Sequence, residues 1–270
     1  MHPLRATLTP FRATLLATLA TFATLLGPCA AAGPVSLTGS AATAAAPGAP
    51  GPPAALLGEE VRLLPVRDRA VALTFNAAWD ETGLASVLDT LRESAAPAAF
   101  FPTGRFAEEH ADAVRTIADA GHGLGNHSHS HPHFTGLAPE EARAEVLRAD
   151  AAIRRASGAE PLPFFRFPYS ETTPEAITQV NALGFADLEF TTDTNGYLGP
   201  SRGMTVDRVV ERALAALAPG AILQLHVGSS EDAPPAERHC LDAEALPRVI
   251  DAVRAAGYRV LDLRELLTAG

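Results

Sequence analysis

The chain has 270 residues, with 31 Asp and Glu against 21 basic residues and a net charge of −10. Every basic residue is Arg, and the absence of Lys excludes a Walker A phosphate loop, a pyridoxal phosphate Schiff base and any lysine nucleophile. The acidic balance speaks against general nucleic-acid binding, and 47% hydrophobic residues exclude wholesale disorder.

Arg5 and Arg12 are the only charges before Glu59. An apolar run from Leu15 to Gly27 follows them, and small residues Ala30 to Ala32 close it. A basic start, a short apolar run and a small-residue exit predict a secretory signal peptide over residues 1–32, hence a secreted or envelope-associated protein. The run is short for a membrane span of ~20 apolar residues, so no stable insertion is expected after cleavage. An uncleaved anchor is the alternative; Cys29 adds a lipoprotein reading that Pro28 fits poorly. Residues 33–60, dominated by Ala, Pro, Gly, Ser and Thr, read as a disordered spacer. Residues 61–270 read as a single domain, within which Cys240 is the lone cysteine and no internal disulfide can form.

From Val61 onward, short apolar runs alternate with amphipathic stretches. Strand-like runs fall at 71–76, 97–102, 122–127, 163–168, 184–190, 221–226 and 258–263. Helical stripes lie between them: Ala142, Val146, Ala149 and Ile153; then Val206, Val210, Ala213 and Leu217, closed by Pro219-Gly220; then Leu246, Val249, Ile250 and Val253. Such alternation predicts a parallel sheet covered by helices, either an open doubly wound sheet or a barrel.

Asn76, His127, Arg166, Asp193 and His226 stand at or just after the ends of five different predicted strands. Ligands bind at that edge in parallel α/β architectures, so five polar residues there point to one site. Five of the nine histidines fall within 121–134, and His127 and His131 are spaced to face one ion. Imidazole suits a borderline divalent metal such as zinc. A solvated His-rich loop is the competing reading.

These segments together resemble the polysaccharide deacetylases, the NodB-homology domain of carbohydrate esterase family 4, over about residues 68–267. His127-Ser128-His129-Ser130-His131 is similar to the H-[ST]-x-x-H metal motif, and Arg166-Phe167-Pro168-Tyr169 to R-x-P-Y. Asp193-Thr194-Asn195-Gly196-Tyr197 resembles D-x-x-D-W with only the first Asp kept, and Leu225-His226 stands where the family has its late histidine. The resemblance implies a distorted (β/α) barrel of seven or eight parallel strands, TIM-like and NodB-type. It also implies Zn2+ or a similar divalent ion, and removal of N- or O-acetyl groups from a sugar polymer such as chitin, peptidoglycan or xylan. The expected partner is therefore a carbohydrate polymer or oligosaccharide, and the protein is expected to be a monomer.

The first motif departs from that pattern. Where the family reads T-F-D-D-G, this chain reads Thr74-Phe75-Asn76-Ala77-Ala78-Trp79-Asp80. Asn76 can hydrogen-bond but cannot accept the proton, and Ala77 cannot bind metal. Asp80, a few residues along, is the candidate to replace one lost carboxylate. Gln224 is a second departure, at a position usually apolar. His226 suits general-acid work. By resemblance Asp193 would orient it, and Arg166 would orient a carboxylate, with Asp80 or Asp193 the candidates. Trp79, Tyr169 and Tyr197 lie near these loops and suit the apolar faces of sugar rings. Two functions follow: a metal-dependent deacetylase with a rearranged carboxylate, or an impaired relative that binds cell-wall glycan without hydrolysing it.

Overall fold

A computed structural model of the chain describes residues 51–234 and 238–268. The expected signal segment 1–32, Cys29 and most of the spacer lie outside the described residues. Packed structure begins before the boundary expected at residue 60. Leu56 is buried, and the backbone N–H of Gly58 donates to Asn181 Oδ1 at 2.7 Å. No helix among the described residues is long and apolar enough to cross a membrane.

Among the described residues there are eight strands. They are β1 (Ala70–Ala77), β2 (Ala99–Pro102), β3 (Gly123–Leu124), β4 (Phe164–Phe165), β5 (Ala186–Asp187), β6 (Thr192–Asp193), β7 (Ala221–His226) and β8 (Arg259–Val260), and helices separate all of them in sequence except β5 and β6. All ladder pairings are parallel. One sheet runs β3-β2-β1-β7-β6, with β8 beside the start of β1, while β4 and β5 form a separate pair. A single bridge between Asn126 and Phe165 links that pair to the β3 side. Between β5 and β6 the segment around Val61 to Leu63 intervenes, bridging to Leu188 and Ala221. Strands β1 to β7 thus follow chain order around an interrupted ring in which β7 pairs directly with β1, as expected of a distorted (β/α) barrel, while β8 stands outside that order.

Strand alternation sorts the core into layers. From β1, Val71, Leu73 and Phe75 join the apolar cluster under α1 (Leu84–Glu93) and α7 (Leu241–Ala255). Ala70 and Ala72 face the opposite side with Ala99, Phe101, Phe164, Ala186, Leu188 and Ile222. Further along that second face of β1 stand Thr74 and Asn76, both buried and polar. An apolar layer therefore carries a polar layer toward the strands' C-terminal ends. The register sets the rest: Asn76 pairs with His226 and Thr74 with Gln224, so β7 brings its polar residues level with those of β1.

The helices follow their local signals. Thr103, Thr173 and Thr205 cap α2 (Gly104–Glu109), α5 (Pro174–Ala182) and α6 (Val206–Ala215) by accepting from the third backbone N–H beyond them. The long α4 (Pro139–Ser157) opens on Pro, carries Glu140 and Glu141 in its first turn, and ends at Gly158 with φ 68°. Its predicted stripe of Ala142, Val146, Ala149 and Ile153 is buried throughout. The α3 helix (Ala111–Asp119) completes the shell.

Candidate functional site

The strand ends open into a cleft of about 350 Å³, lined among others by Asn76, Trp79, Asp80, His127, His131, Tyr169, Asp193, Tyr197 and His226. Arg166 lies beneath its floor, fully buried. Backbone strain concentrates here. Of the six non-glycine residues with positive φ among the described residues, Ser128, His131, Tyr169, Ser170 and Asn195 all belong to the loops around the cleft. Each such conformation costs about 1–3 kcal/mol and persists only where the surroundings enforce it.

The floor is an unbroken polar chain. Arg166 donates to the Leu188 and Glu189 carbonyls at 3.0 and 3.2 Å, to Thr74 Oγ1 at 3.1 Å and to Asn76 Oδ1 at 2.9 Å. Its guanidinium also stacks 4.2 Å from the centre of the Phe101 ring. Burial lowers Arg166 to about 10, and the fields of Glu189, Asp193 and Asp187 oppose the fall. Asn76 Nδ2 donates onward to Gln224 Oε1 at 3.3 Å, and Gln224 Nε2 donates to Asp193 Oδ2 at 2.8 Å. Arg166 makes no hydrogen bond to Asp80 or Asp193; its side-chain partners are the amide of Asn76 and the hydroxyl of Thr74. The two sequence departures, Asn76 and Gln224, are thus one connected feature.

On one wall, His127 Nδ1 lies 2.9 Å from the Arg166 carbonyl. A carbonyl can only accept, so Nδ1 carries the proton and the lone pair sits on Nε2, which is buried without a partner among the described residues. His131 stands edge-on to His127, with ring centres 4.8 Å apart, and its Nδ1 is likewise unpartnered. Burial, the neighbouring His131 and Arg166 hold His127 well below the ordinary imidazole value. Burial together with His226 and His133 lowers His131 to about 4. Both rings are neutral at physiological pH, the state in which imidazole ligates metal.

A third ligand is missing. Ala77 offers a methyl group, and among the described residues no three His, Cys, Asp or Glu side chains converge to hold an ion. Asp80 is turned away from this task. Its Oδ2 accepts from the backbone N–H and hydroxyl of Ser229 at 3.1 and 2.7 Å, and its Oδ1 accepts from the Thr82 N–H at 2.9 Å. The residues present therefore do not complete the three-ligand site of a catalytic zinc.

On the opposite wall stands His226. Burial alone would lower it, yet the Asp193 and Asp242 carboxylates leave it raised. Asp193 Oδ1 is 3.9 Å from Nδ1, and Asp242 Oδ2 is closer at 3.4 Å. Asp242 was not among the residues the sequence singled out. Nor was Glu189, which is buried and accepts from the Phe167 N–H at 3.0 Å and the Ser170 hydroxyl at 2.8 Å. Aromatic rings frame the opening: Trp79 lies 5.3 Å and Tyr169 4.6 Å from His131, while Tyr197 lies 4.3 Å from His226. Tyr169 also stacks on His133 and is 52% exposed.

An interrupted (β/α) barrel with a histidine-lined cleft at its C-terminal edge belongs to the class of α/β proteins that bind ligands where the strand-to-helix loops converge. Comparison with known proteins gives the family. The polysaccharide deacetylase family model matches residues 64–188. A chitooligosaccharide deacetylase from a Bradyrhizobium species is 32% identical over 73% of this chain and 90% of its own length. A peptidoglycan-N-acetylglucosamine deacetylase from Bacillus cereus is 27% identical over 74% of this chain and 68% of its own. Among solved structures, a carbohydrate esterase family 4 pseudoenzyme from Bacillus anthracis superimposes with a TM-score of 0.67. It is 26% identical, covering 77% of this chain and 68% of that one. A mutant of that pseudoenzyme with restored enzymatic activity matches with the same TM-score at 25% identity, over 77% of this chain and 70% of that one. The chain belongs to the polysaccharide deacetylase family, a family of carbohydrate-acting hydrolases.

Proposed function

We propose that this protein is an exported deacetylase-family hydrolase whose cleft holds an acetylated amino-sugar chain and turns it over slowly, because its water-activating half has been dismantled. The observation that carries this reading is the floor: Arg166 is bonded to an amide where a proton acceptor is needed, and that amide is locked through Gln224 to Asp193. Amide hydrolysis needs an activated water and a proton for the leaving nitrogen. His226, raised toward protonation by two carboxylates, supports the second requirement. Nothing in Asn76, Ala77 or the fully hydrogen-bonded Asp80 supplies the first. Zinc held by His127 and His131 alone is expected to bind weakly, since one ligand of the usual three is absent. An amino-sugar substrate is favoured by the likeness to a chitooligosaccharide deacetylase and a peptidoglycan-N-acetylglucosamine deacetylase, and the exposed face of Tyr169 and the ring of Trp79 suit sugar stacking. Export rests on the basic and apolar N-terminus.

The test uses Trp79, the chain's only tryptophan, as the reporter. Titration with N-acetylated chito-oligosaccharides is expected to change its fluorescence saturably, and Tyr169→Ala to weaken that binding. Acetate release with zinc present is expected to stay far below the 1–10³ s⁻¹ typical of enzymes. No saturable binding would overturn the substrate reading; turnover within that range would overturn the slow-turnover reading.

A further inference from the structure

Asp242 is fully buried on the first turn of α7, next to the mouth of the cleft yet outside every motif read from the sequence. A buried carboxylate is costly unless its oxygens are matched by donors. Here Oδ1 accepts from the Thr194 hydroxyl at 2.6 Å, and Oδ2 accepts from the backbone N–H of His226 at 2.9 Å. Oδ2 also lies 3.4 Å from Nδ1 of the same histidine, an ion-pair contact without the alignment of a full hydrogen bond. One carboxylate therefore grips His226 by both backbone and ring. Asp193, by contrast, spends Oδ1 on the Asn195 N–H at 2.7 Å and Oδ2 on Gln224 at 2.8 Å, and stands farther from the ring at 3.9 Å.

Gly196 shows that the space has been cleared for this purpose. It does not adopt a positive φ, so backbone conformation does not require glycine there. A Cβ at 196 would overlap the Asp242 carboxylate and sit 2.7 Å from the Asp242 backbone nitrogen. Position 196 is also where the resembling motif would carry its second Asp. The carboxylate is absent from the loop after β6, and one from α7 stands in the room left by the missing side chain.

We infer that Asp242 is the positioning residue for His226, fixing the ring's place and aiming its Nε2 edge into the cleft, a task the sequence pattern assigned to Asp193. This rests on the proposed role of His226 as proton donor. The ring is faced by Asp193 from β6, by Asp242 from α7 and by the Tyr197 ring 4.3 Å away; the Cys240 thiol donates to the His226 carbonyl at 3.3 Å, and the fields of Arg166, His127 and His131 also reach the imidazole.

The test reads the His226 imidazole titration by NMR in the full chain, with the resonance assigned by its loss in His226→Gln. Asp242→Asn keeps the shape and removes the charge, and is expected to lower the midpoint by about one pH unit, tenfold in proton affinity. Thr194→Val leaves the carboxylate but removes the hydroxyl that holds it, and is expected to lower the midpoint by a smaller amount with the fold intact. Should Asp242→Asn not fold, the Thr194→Val shift decides alone. If both variants keep the parent midpoint and only Asp193→Asn moves it, the assignment is overturned. Because this readout needs no acetate release, its failure is distinguishable from failure of the proposed function.

Discussion

Replacing Asn76 by Asp would restore a carboxylate beside Arg166, but the structure says the change is not free. The new oxygen would face Gln224 Oε1, across a 3.3 Å contact in which the amide nitrogen now donates. Gln224 can answer only by turning its amide, and that takes its nitrogen from Asp193 Oδ2, now 2.8 Å away. Either way one buried acceptor faces another. A lost hydrogen bond to a charged group is worth about 1.5–3 kcal/mol, comparable to what Arg166 would gain from an ionised partner at 2.9 Å. Asn76→Asp alone is therefore expected to change stability by less than about 1 kcal/mol. Gln224→Leu alone strips donors and acceptors from both neighbours and should cost about 1–3 kcal/mol. Combined, the conflict disappears, so the double variant should be more stable than the sum of the singles by about 2 kcal/mol. Urea unfolding of the four proteins at pH 8 measures this coupling. Additivity within about 0.5 kcal/mol would refute the claim that the two sequence departures form one unit.

Two further outcomes concern buried carboxyls. Among the described residues Asp187 has no hydrogen-bond partner for either oxygen, and burial with the neighbouring Glu189 pushes it up to about 9. Its folded value exceeds the unfolded value, so its contribution is complete below about pH 4 and is lost as pH rises toward 9. Asp187→Asn should therefore flatten the decline of thermal midpoint between pH 5 and pH 9; parallel curves would contradict this. Asp80 is opposite in sign. Burial would raise it, but hydrogen bonds from Thr82 and Ser229 keep it below the usual carboxylate range, so its contribution holds at neutral pH and fades in acid. Asp80→Ala should cost about 1 kcal/mol at pH 7, and the gap in midpoint should narrow by pH 3; an unchanged gap would show that the loop bonds do not matter.

The strands were legible where apolar runs are bounded by turn residues, as in β1 and β7. The two-residue strand β6 was not, because Thr192 and Asp193 owe their place to backbone pairing with Leu223 and Gln224 and carry no apolar alternation. In the site, strand-end position was enough to bring His127, Asp193 and His226 together, since parallel strands converge at that edge. Direction was another matter. Asp80 lies a few residues along from the missing carboxylates, but its side chain turns to Ser229 on the loop after β7, a long-range choice that spacing does not encode. Asp242 looked like any acid in a helix's first turn, where the dipole favours one. The unusual glycine at 196 was its only trace in the sequence.

The most direct measurement compares acetate release from N-acetylated chito-oligosaccharides by the native chain and by a variant carrying Asn76→Asp, Ala77→Asp and Gln224→Leu, both with zinc. A positioned base contributes about 10²–10⁴-fold, so the variant should exceed the native chain by at least about 10²-fold. It should also bind zinc more tightly than the native chain does. Native turnover equal to or above that of the variant would contradict the account, for it would mean that the water is activated by groups other than the missing carboxylate pair.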